Sequence, residues 1–490
     1  MDKSHLHIQT INYEAEQFRT AFSRFRNSLH AIDESLCIKL YQIVSEIDNF
    51  LDSKPMEIEL PRKELITSAN VKKSGIRKTF VCKKCDDRDI GSTFVDVSNH
   101  IKQFKHDNLK RTHKKESPAN ISRKAKLENK ILPKKVKAMI HGDIQSFFNE
   151  NLEVAKKLVH SPDYIEIENE LLKLIRPAFP DQTVKINFFG SRLSGIGTLH
   201  SDLDIFIDIG GVFNTFENRP SAETKKKLQT VQGILSKNSQ WSQLIAIQNA
   251  RVPILKILYK PKFLNCDIGF SNSLGYCNTN LTKYLLELQP IAKRLAFFLK
   301  KWIERSKLNE HITTYSAVLL VIFYLQTKNL LPSIKALQDG LEDDQAEIGP
   351  WLAVFAEKSL QDLNISHAPY AVENFKNEMK SFFKFYSTFD FKHKLICPYL
   401  GQTISVKDLE TSPLLPRYVK YIETEKDNKD ALLNIQHMNV QDPFQLNHNV
   451  TKAVPSTVVL LLKQYFELSL NAMEDGESSQ IINKDESIKK

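Results

Sequence analysis

Two aspartates, Asp202 and Asp204, stand two residues apart in the run Ser201-Asp202-Leu203-Asp204-Ile205-Phe206-Ile207-Asp208. On an extended strand that spacing turns both carboxylates to one face and sends Leu203, Ile205 and Ile207 to the other. Two neighbouring carboxylates repel each other unless a cation neutralises them. Hard oxygen donors of this kind suit Mg²⁺ or Mn²⁺. A third carboxylate, Asp267, sits in a later apolar stretch, Phe263-Leu-Asn-Cys-Asp-Ile-Gly-Phe270. If the two stretches pair as strands, the three could hold two divalent ions for in-line attack of a hydroxyl on a phosphate. One ion would lower the pKa of the attacking hydroxyl, and the other would steady the triphosphate and its leaving pyrophosphate. A turn upstream, Gly190-Ser191, offers backbone amides and a hydroxyl at close range to phosphates. Asp208 shares the aspartate face by parity but lies farther along, and reads as structural. A bare Asp-x-Asp can be no more than a strand end; the glycine-serine turn and the third aspartate make this one specific.

A second group of chemically competent residues lies earlier. Cys82-Lys-Lys-Cys85 is followed after fourteen residues by His100 and after five more by His106. Two thiolates from a tight turn and two imidazoles from a following helix make a tetrahedral Zn²⁺ set. Phe80, Phe94 and Val97 would form the small core that such a metal makes stable. His113 is a spare ligand. The alternative is a chance Cys-x-x-Cys among surface histidines.

The elements that must position these residues follow from periodicity. Apolar residues at spacings of three and four, from Phe18 to Leu51, predict a long helix over 13–51. It packs on its own protein, or serves as a short coiled coil or a partner-binding helix. Pro55 and Pro61 end it. Runs rich in Val, Ile and Phe predict strands over 183–190, 203–209, 252–259 and 263–270. Helices are expected over 143–178, 285–307 and 314–327. The polar tail, 474–490, is expected to be disordered.

Of the 490 residues, 41% are hydrophobic and 9% aromatic, enough for a sizeable core. Mean hydropathy is −0.33. The longest apolar run, Tyr315 to Leu325 with only Ser316 polar, is short of the ~20 residues of a membrane span. The start, MDKSHLHIQT, has no apolar signal core, so secretion is not expected. Six cysteines exclude a disulfide scaffold. Cytoplasm and/or nucleus is therefore the expected location. The net charge is +10, and it is concentrated. Between Arg62 and Lys137, 22 Lys and Arg stand against 8 Asp and Glu, a local +14 that leaves the rest of the chain at −4. Such a stretch meets a polyanion, nucleic acid or an acidic membrane face, or is a solvated linker. Its basic clusters over 110–137 read equally as a nuclear signal or as RNA contacts.

The turn and the three aspartates resemble the nucleotidyltransferase superfamily of the DNA polymerase β type, and within it the noncanonical poly(A) polymerases and terminal uridylyltransferases. The likeness covers roughly 140–470. It implies an α+β fold: a mixed-sheet nucleotidyltransferase domain over 181–280, inserted into a helical, poly(A)-polymerase-associated domain over 138–180 and 281–470. Ahead of these would lie a helical region over 1–60 and the basic region 62–137, with the finger at 80–108. The resemblance also assigns roles. Asp202, Asp204 and Asp267 would be catalytic metal ligands, and Gly190 and Ser191 would meet the triphosphate. Asn272 would touch the base, and Asn278 and Thr279 the ribose and phosphates. Lys300, in Phe298-Leu-Lys-Lys-Trp302, would bind phosphate; a second lysine common one turn on is Glu304 here, with Arg305 beside it. Thr314 would contact phosphate and Tyr315 would stack on the base, which gives affinity rather than choice. In Val440-Gln-Asp-Pro-Phe-Gln-Leu-Asn-His-Asn-Val450, Asp442 would orient the base and His448 would favour uracil over the larger adenine. Gln445 replaces an acidic residue common in that motif. Arg251 would touch the RNA 3′ end, or form a structural ion pair. The Cys-His island resembles U1- or matrin-type zinc fingers, which implies RNA or protein binding.

The activity these features imply is template-independent addition of uridine from UTP to an RNA 3′ end. A poly(A) polymerase adding AMP is the alternative, and a catalytically silent RNA-binding scaffold is another. The expected cofactors are Mg²⁺ or Mn²⁺ and a structural Zn²⁺. The expected partners are RNA, UTP and, through the N-terminal helix, a protein, with no membrane.

Overall fold

The computed structural model describes residues 131–341 and 347–487, with side chains as far as residue 475, and the backbone of three short strands between residues 71 and 91. The chain divides into two compact units, Met1–Ala125 and Lys126–Lys490. In the first, β1 (Val71–Lys73), β2 (Phe80–Cys82) and β3 (Arg88–Gly91) form an antiparallel meander. Cys82 ends β2; Cys85, His100, His106, His113 and the helix expected over 13–51 lie outside the described residues.

The second unit begins with α1 (Lys134–His141), α2 (Ile144–Val159) and α3 (Asp163–Ile175). Its sheet has the order β4-β5-β8-β7-β6, from β4 (Val184–Phe189), β5 (Leu203–Ile209), β6 (Trp241–Ile247), β7 (Ile254–Tyr259) and β8 (Leu264–Gly269). Only the β5–β8 pair is parallel, so the sheet is mixed. Alternation makes it two-faced: Leu203, Ile205, Ile207, Leu255, Ile257 and Ile268 are buried in one core with α3 and with α4 (Ala222–Leu235).

Beyond the sheet come α5 (Leu274–Leu288), α6 (Pro290–Arg305), α7 (Thr314–Thr327) and α8 (Val372–Thr388), then the C-terminal α9 (Ser456–Ser487). These share a second, larger core with α1 and α2. Its centre is α7, apolar on every side and buried from Ser316 to Gln326. A third cluster gathers Trp351, Leu395, Tyr418 and Leu446 near the end of the chain.

The α+β architecture expected from the sequence is present, and four local expectations change. The helical stretch 138–180 is divided, because α1 and α2 bury their apolar stripe among the helices whereas α3 buries Ile167, Leu171 and Ile175 against the sheet. The helix expected over 285–307 is two, since Gln289, held extended ahead of Pro290, cannot continue a helix. Strand β6 and helix α4 were not foreseen; β6 alternates polar with apolar residues, and α4 is lysine-rich. The tail expected to be disordered continues α9 to Ser487, a stretch with no proline to stop it.

Candidate active site

The sheet register brings the carboxylates together. Asp204 on β5 lies directly beside Asp267 on β8 in the parallel pair. Asp202 immediately precedes β5. On the far side of Asp267, β7 places Lys256 opposite it, and the Lys256 ammonium donates to Asp267 Oδ2 at 2.6 Å. Burial, then Asp267, then Asp202 push the Asp204 carboxyl up to about 7. Asp202 is raised by burial and by Asp267, with Lys256 and a hydrogen bond from Asn265 opposing. Among the described residues no three such donors are drawn into a finished metal cage, and Lys256 is the cation that meets the third carboxylate.

Gly190 is fixed by this crowding. Its φ is +84°, and a Cβ placed there would stand 1.8 Å from Asp204 Oδ2. Its amide donates to Thr279 Oγ1 at 2.9 Å, and that hydroxyl donates to the Gly275 carbonyl at 2.8 Å. The turn is thus pinned to α5 by Thr279, and the Gly190 amide is not the free phosphate donor expected from the sequence.

A cavity of about 640 Å³ opens between sheet and helices. Gly190, Ser191, Asp202, Asp204, Asn278, Thr279, Lys300, Thr314 and Tyr315 all line it. Its size is that of a small-molecule site. Lys300 is buried, and its ammonium donates to the Ile196 carbonyl and to Ser201 Oγ, each at 3.0 Å. Burial first, with Lys301 adding, lowers its pKa to about 8, although Glu304 and Asp204 oppose. One of its three N–H groups remains for a ligand. Lys301 also reaches the cavity but is tied to Glu304 at 2.8 Å, while Arg305 lies over the Phe147 ring.

Asp442 is fully enclosed. It accepts from Asn278 Nδ2 at 2.9 Å, from the Tyr315 hydroxyl at 3.0 Å, and from the amides of Phe444 and Gln445. Burial raises its carboxyl, and these donors oppose the rise. Asn278 Oδ1 is buried with no partner among the described residues. Asp442 also donates its amide to the His448 carbonyl at 2.9 Å, which folds the His448 loop back beside it. His448 is held neutral, its pKa lowered to about 3 by burial, then by Arg251 and Lys452.

Residues 140–287 match the family described as poly(A) RNA polymerase, mitochondrial-like, central palm domain, and residues 380–448 match Cid1 family poly A polymerase, the PAP-associated domain. The chain carries a poly(A)-polymerase-like palm and a PAP-associated domain. It is 25% identical over 348 residues to the speckle targeted PIP5K1A-regulated poly(A) polymerase of Danio rerio, covering 62% of this chain and 42% of that protein. It is 26% identical over 305 residues to terminal uridylyltransferase 7 of Homo sapiens, covering 59% of this chain and 18% of the relative. The chain thus spans less than half the length of these relatives. The crystal structure of mtPAP in complex with UTP aligns with a TM-score of 0.52 at 22% identity, over 71% of this chain and 72% of that one, a likeness of fold.

The three aspartates and Gly190 belong to the palm, and Asp442 and His448 close the PAP-associated domain. Five of the expected site residues, Asp267, Asn272, Arg251, Asp442 and His448, are not among those that line the cavity. Asn272 accepts from the Leu274 amide at 3.1 Å and so opens α5. Arg251, between β6 and β7, donates to His448 Nδ1 at 2.5 Å. Asp208 is structural, accepting from the Val212 amide at 2.7 Å. Sequence reasoning missed Lys256: strand parity between buried Leu255 and Ile257 marks the face it occupies, but only the β7–β8 register sets it opposite Asp267. It also missed Ser201, whose hydroxyl holds Lys300, and Arg192, which is buried and donates to the Ser201 carbonyl at 2.9 Å.

Proposed function

We propose that this protein transfers uridine nucleotides from UTP to RNA 3′ ends without a template. The observation that carries the proposal is the arrangement behind two of the cavity's lining residues, Asn278 and Tyr315. Asn278, Tyr315 and Asp442 are locked together, Asn278 Oδ1 lacks a donor, and His448 stands on the loop paired with Asp442. Asn278 Oδ1 is an acceptor for a ribose hydroxyl, which a ribonucleotide offers. Tyr315, which lines the cavity and is held by Asp442, would form one wall of the base site.

The aspartates fit a divalent cation: they are hard donors on adjacent strands, and Asp204 is pushed up to about 7 by burial first and then by the charges of Asp267 and Asp202. Bound there, Mg²⁺ or Mn²⁺ would supply Lewis-acid activation of the 3′-hydroxyl and charge neutralisation for the triphosphate. The remaining work falls to the chain's own groups. Gly190 leaves the space Asp204 needs. The free N–H of Lys300 meets the phosphates, and their charge keeps its ammonium protonated. The 3′-oxygen bonds to the α-phosphorus, and the bond to the bridging oxygen breaks to release pyrophosphate.

A second reading, addition of AMP, draws support from the match to a poly(A) RNA polymerase palm and from the Danio rerio relative's name. The test is purified protein with labelled RNA, Mg²⁺ and each of the four nucleoside triphosphates in turn. Addition of UMP above all others is expected. Preferred addition of AMP overturns the uridylyl assignment and establishes the second reading. Asp202→Ala should abolish tailing, and retained activity would refute the aspartate assignment. For the basic region 62–137 we propose a role in holding RNA near the cleft, supported by its local charge of +14.

A further inference from the structure

The three aspartates are not held in the same way. Asp204 and Asp267 are direct partners in the ladder between β5 and β8, so the sheet sets their separation. Asp202 stands one residue ahead of β5 and outside the pairings that β5 makes. Asn265 gives its carboxylate a hydrogen bond. Its main chain, however, is placed by the loop 190–202 that joins β4 to β5.

That loop is fastened at Ser201, the residue before Asp202. The Ser201 amide donates to the Thr198 carbonyl at 2.9 Å. Its carbonyl accepts from Arg192 Nη1 at 2.9 Å. Its hydroxyl oxygen accepts from the Thr198 amide at 2.9 Å and from the Lys300 ammonium at 3.0 Å. A hydroxyl has two lone pairs and one proton, so the proton is left for Thr198 Oγ1, 3.3 Å away. Every polar group of Ser201 is engaged. Arg192 and Lys300 are both buried, and neither forms an ion pair among the described residues. Burying a cation is costly unless hydrogen bonds compensate it. Oxygens of this one loop supply much of that compensation, since Lys300 donates to the Ile196 carbonyl as well. Lys300 comes from α6, whose apolar residues belong to the helical core, so it ties that core to the palm one peptide away from Asp202.

We propose that Ser201 is a positioning residue that sets Asp202 against the two sheet-held aspartates, and that Lys300 acts through it on cation binding as well as on phosphate. The sheet alone fixes two ligands, and the third is fixed by a tie from the other domain. Nucleotide and cation thereby share one node, the Lys300–Ser201 hydrogen bond. The proposal rests on the reading of the aspartates as ligands of a divalent cation, and its test separates the two.

The test is binding of Mn²⁺ alone to the nucleotide-free protein, followed by the electron paramagnetic resonance signal of the free ion. The proteins compared are wild type, Ser201→Ala, Ser201→Thr, Lys300→Met and Asp202→Ala. Ser201→Ala should weaken Mn²⁺ binding about tenfold, the scale of one hydrogen bond to a charged group. Ser201→Thr keeps the hydroxyl and should restore most of the affinity. In Lys300→Met the sign is informative. Lys300 lies within reach of the Asp204 charge, so loss of its ammonium would by charge alone tighten Mn²⁺ binding. Weaker binding in that variant is the mark of the lost tie, and it is the expected result. In tailing assays kcat of Ser201→Ala should fall at low Mn²⁺ and return as Mn²⁺ is raised, which a serine that only braces the fold would not show. Unchanged or tighter Mn²⁺ binding in Ser201→Ala or in Lys300→Met overturns the proposal. If Asp202→Ala binds Mn²⁺ as the wild type does, the aspartate assignment falls and the proposal with it. If Asp202→Ala loses Mn²⁺ while Ser201→Ala does not, the proposal alone falls.

Discussion

Replacing Asp204 by Asn should make the cation-free protein more stable while abolishing its activity. The Asp204 carboxyl is raised from 3.8 to about 7, with burial the largest cause and the charges of Asp267 and Asp202 next. That rise corresponds to ~4 kcal/mol of cost for holding the charge at neutral pH. An amide also loses solvent on burial, so only the like-charge part and some of the desolvation are recovered, about 2 kcal/mol. For a body of this size that is an increase in Tm of about 3 °C. The sign also fixes the pH dependence. A carboxyl raised in the folded state contributes its stability below pH ~4, and that contribution is lost as the pH rises towards about 7. Differential scanning fluorimetry from pH 4 to 8, with EDTA or with Mg²⁺, reads all of this. The wild type should lose stability towards pH 7 in EDTA and regain it with Mg²⁺, whereas Asp204→Asn should be flatter and respond less to Mg²⁺. A variant that melts below the wild type in EDTA, with an undiminished Mg²⁺ response, would refute the argument that these carboxylates stress one another.

Three further outcomes are expected. Gly190→Ala puts a methyl 1.8 Å from Asp204 Oδ2 in a backbone conformation alanine avoids, so tailing activity should fall at least a hundredfold with the fold retained by circular dichroism; near-normal activity would sink the cradle argument. Tyr315→Phe removes one of the donors to Asp442, and should raise the nucleotide KM by about fivefold, the scale of ~1 kcal/mol, with kcat little changed. Deletion of residues 62–137 should raise KM for RNA and flatten its dependence on salt while kcat is nearly kept, and an unaltered salt slope would show that the basic stretch does not contact the phosphates.

The strands that carry the aspartates were legible because a half-buried strand writes its parity into the sequence, and the α7 helix because a run buried on all sides is apolar on all sides. Strand β6 and helix α4 were not, because they lie at the margin of the sheet and carry many polar residues. The break at Pro290 is local chemistry that the apolar period over 285–307 concealed.

The sequence by itself determined which residues have reactive chemistry: two aspartates at strand spacing, a third in another strand, a glycine ahead of them, and a polar loop ending in Asp442 and His448. Spacing along one element is set by the backbone, so these features needed no partner to be read. Tertiary structure alone decided how they are used. Only the parallel pairing of β5 with β8 sets Asp204 beside Asp267, and only the antiparallel pairing of β7 with β8 gives Asp267 its lysine. Only the packing of α5 and α7 against the closing loop surrounds Asp442 with Asn278 and Tyr315. His448 is met at Nδ1 by Arg251, an arginine from a distant loop. Hydrogen bonds and like-charge stress depend on distance in space, and no period in the sequence records which distant segments will meet.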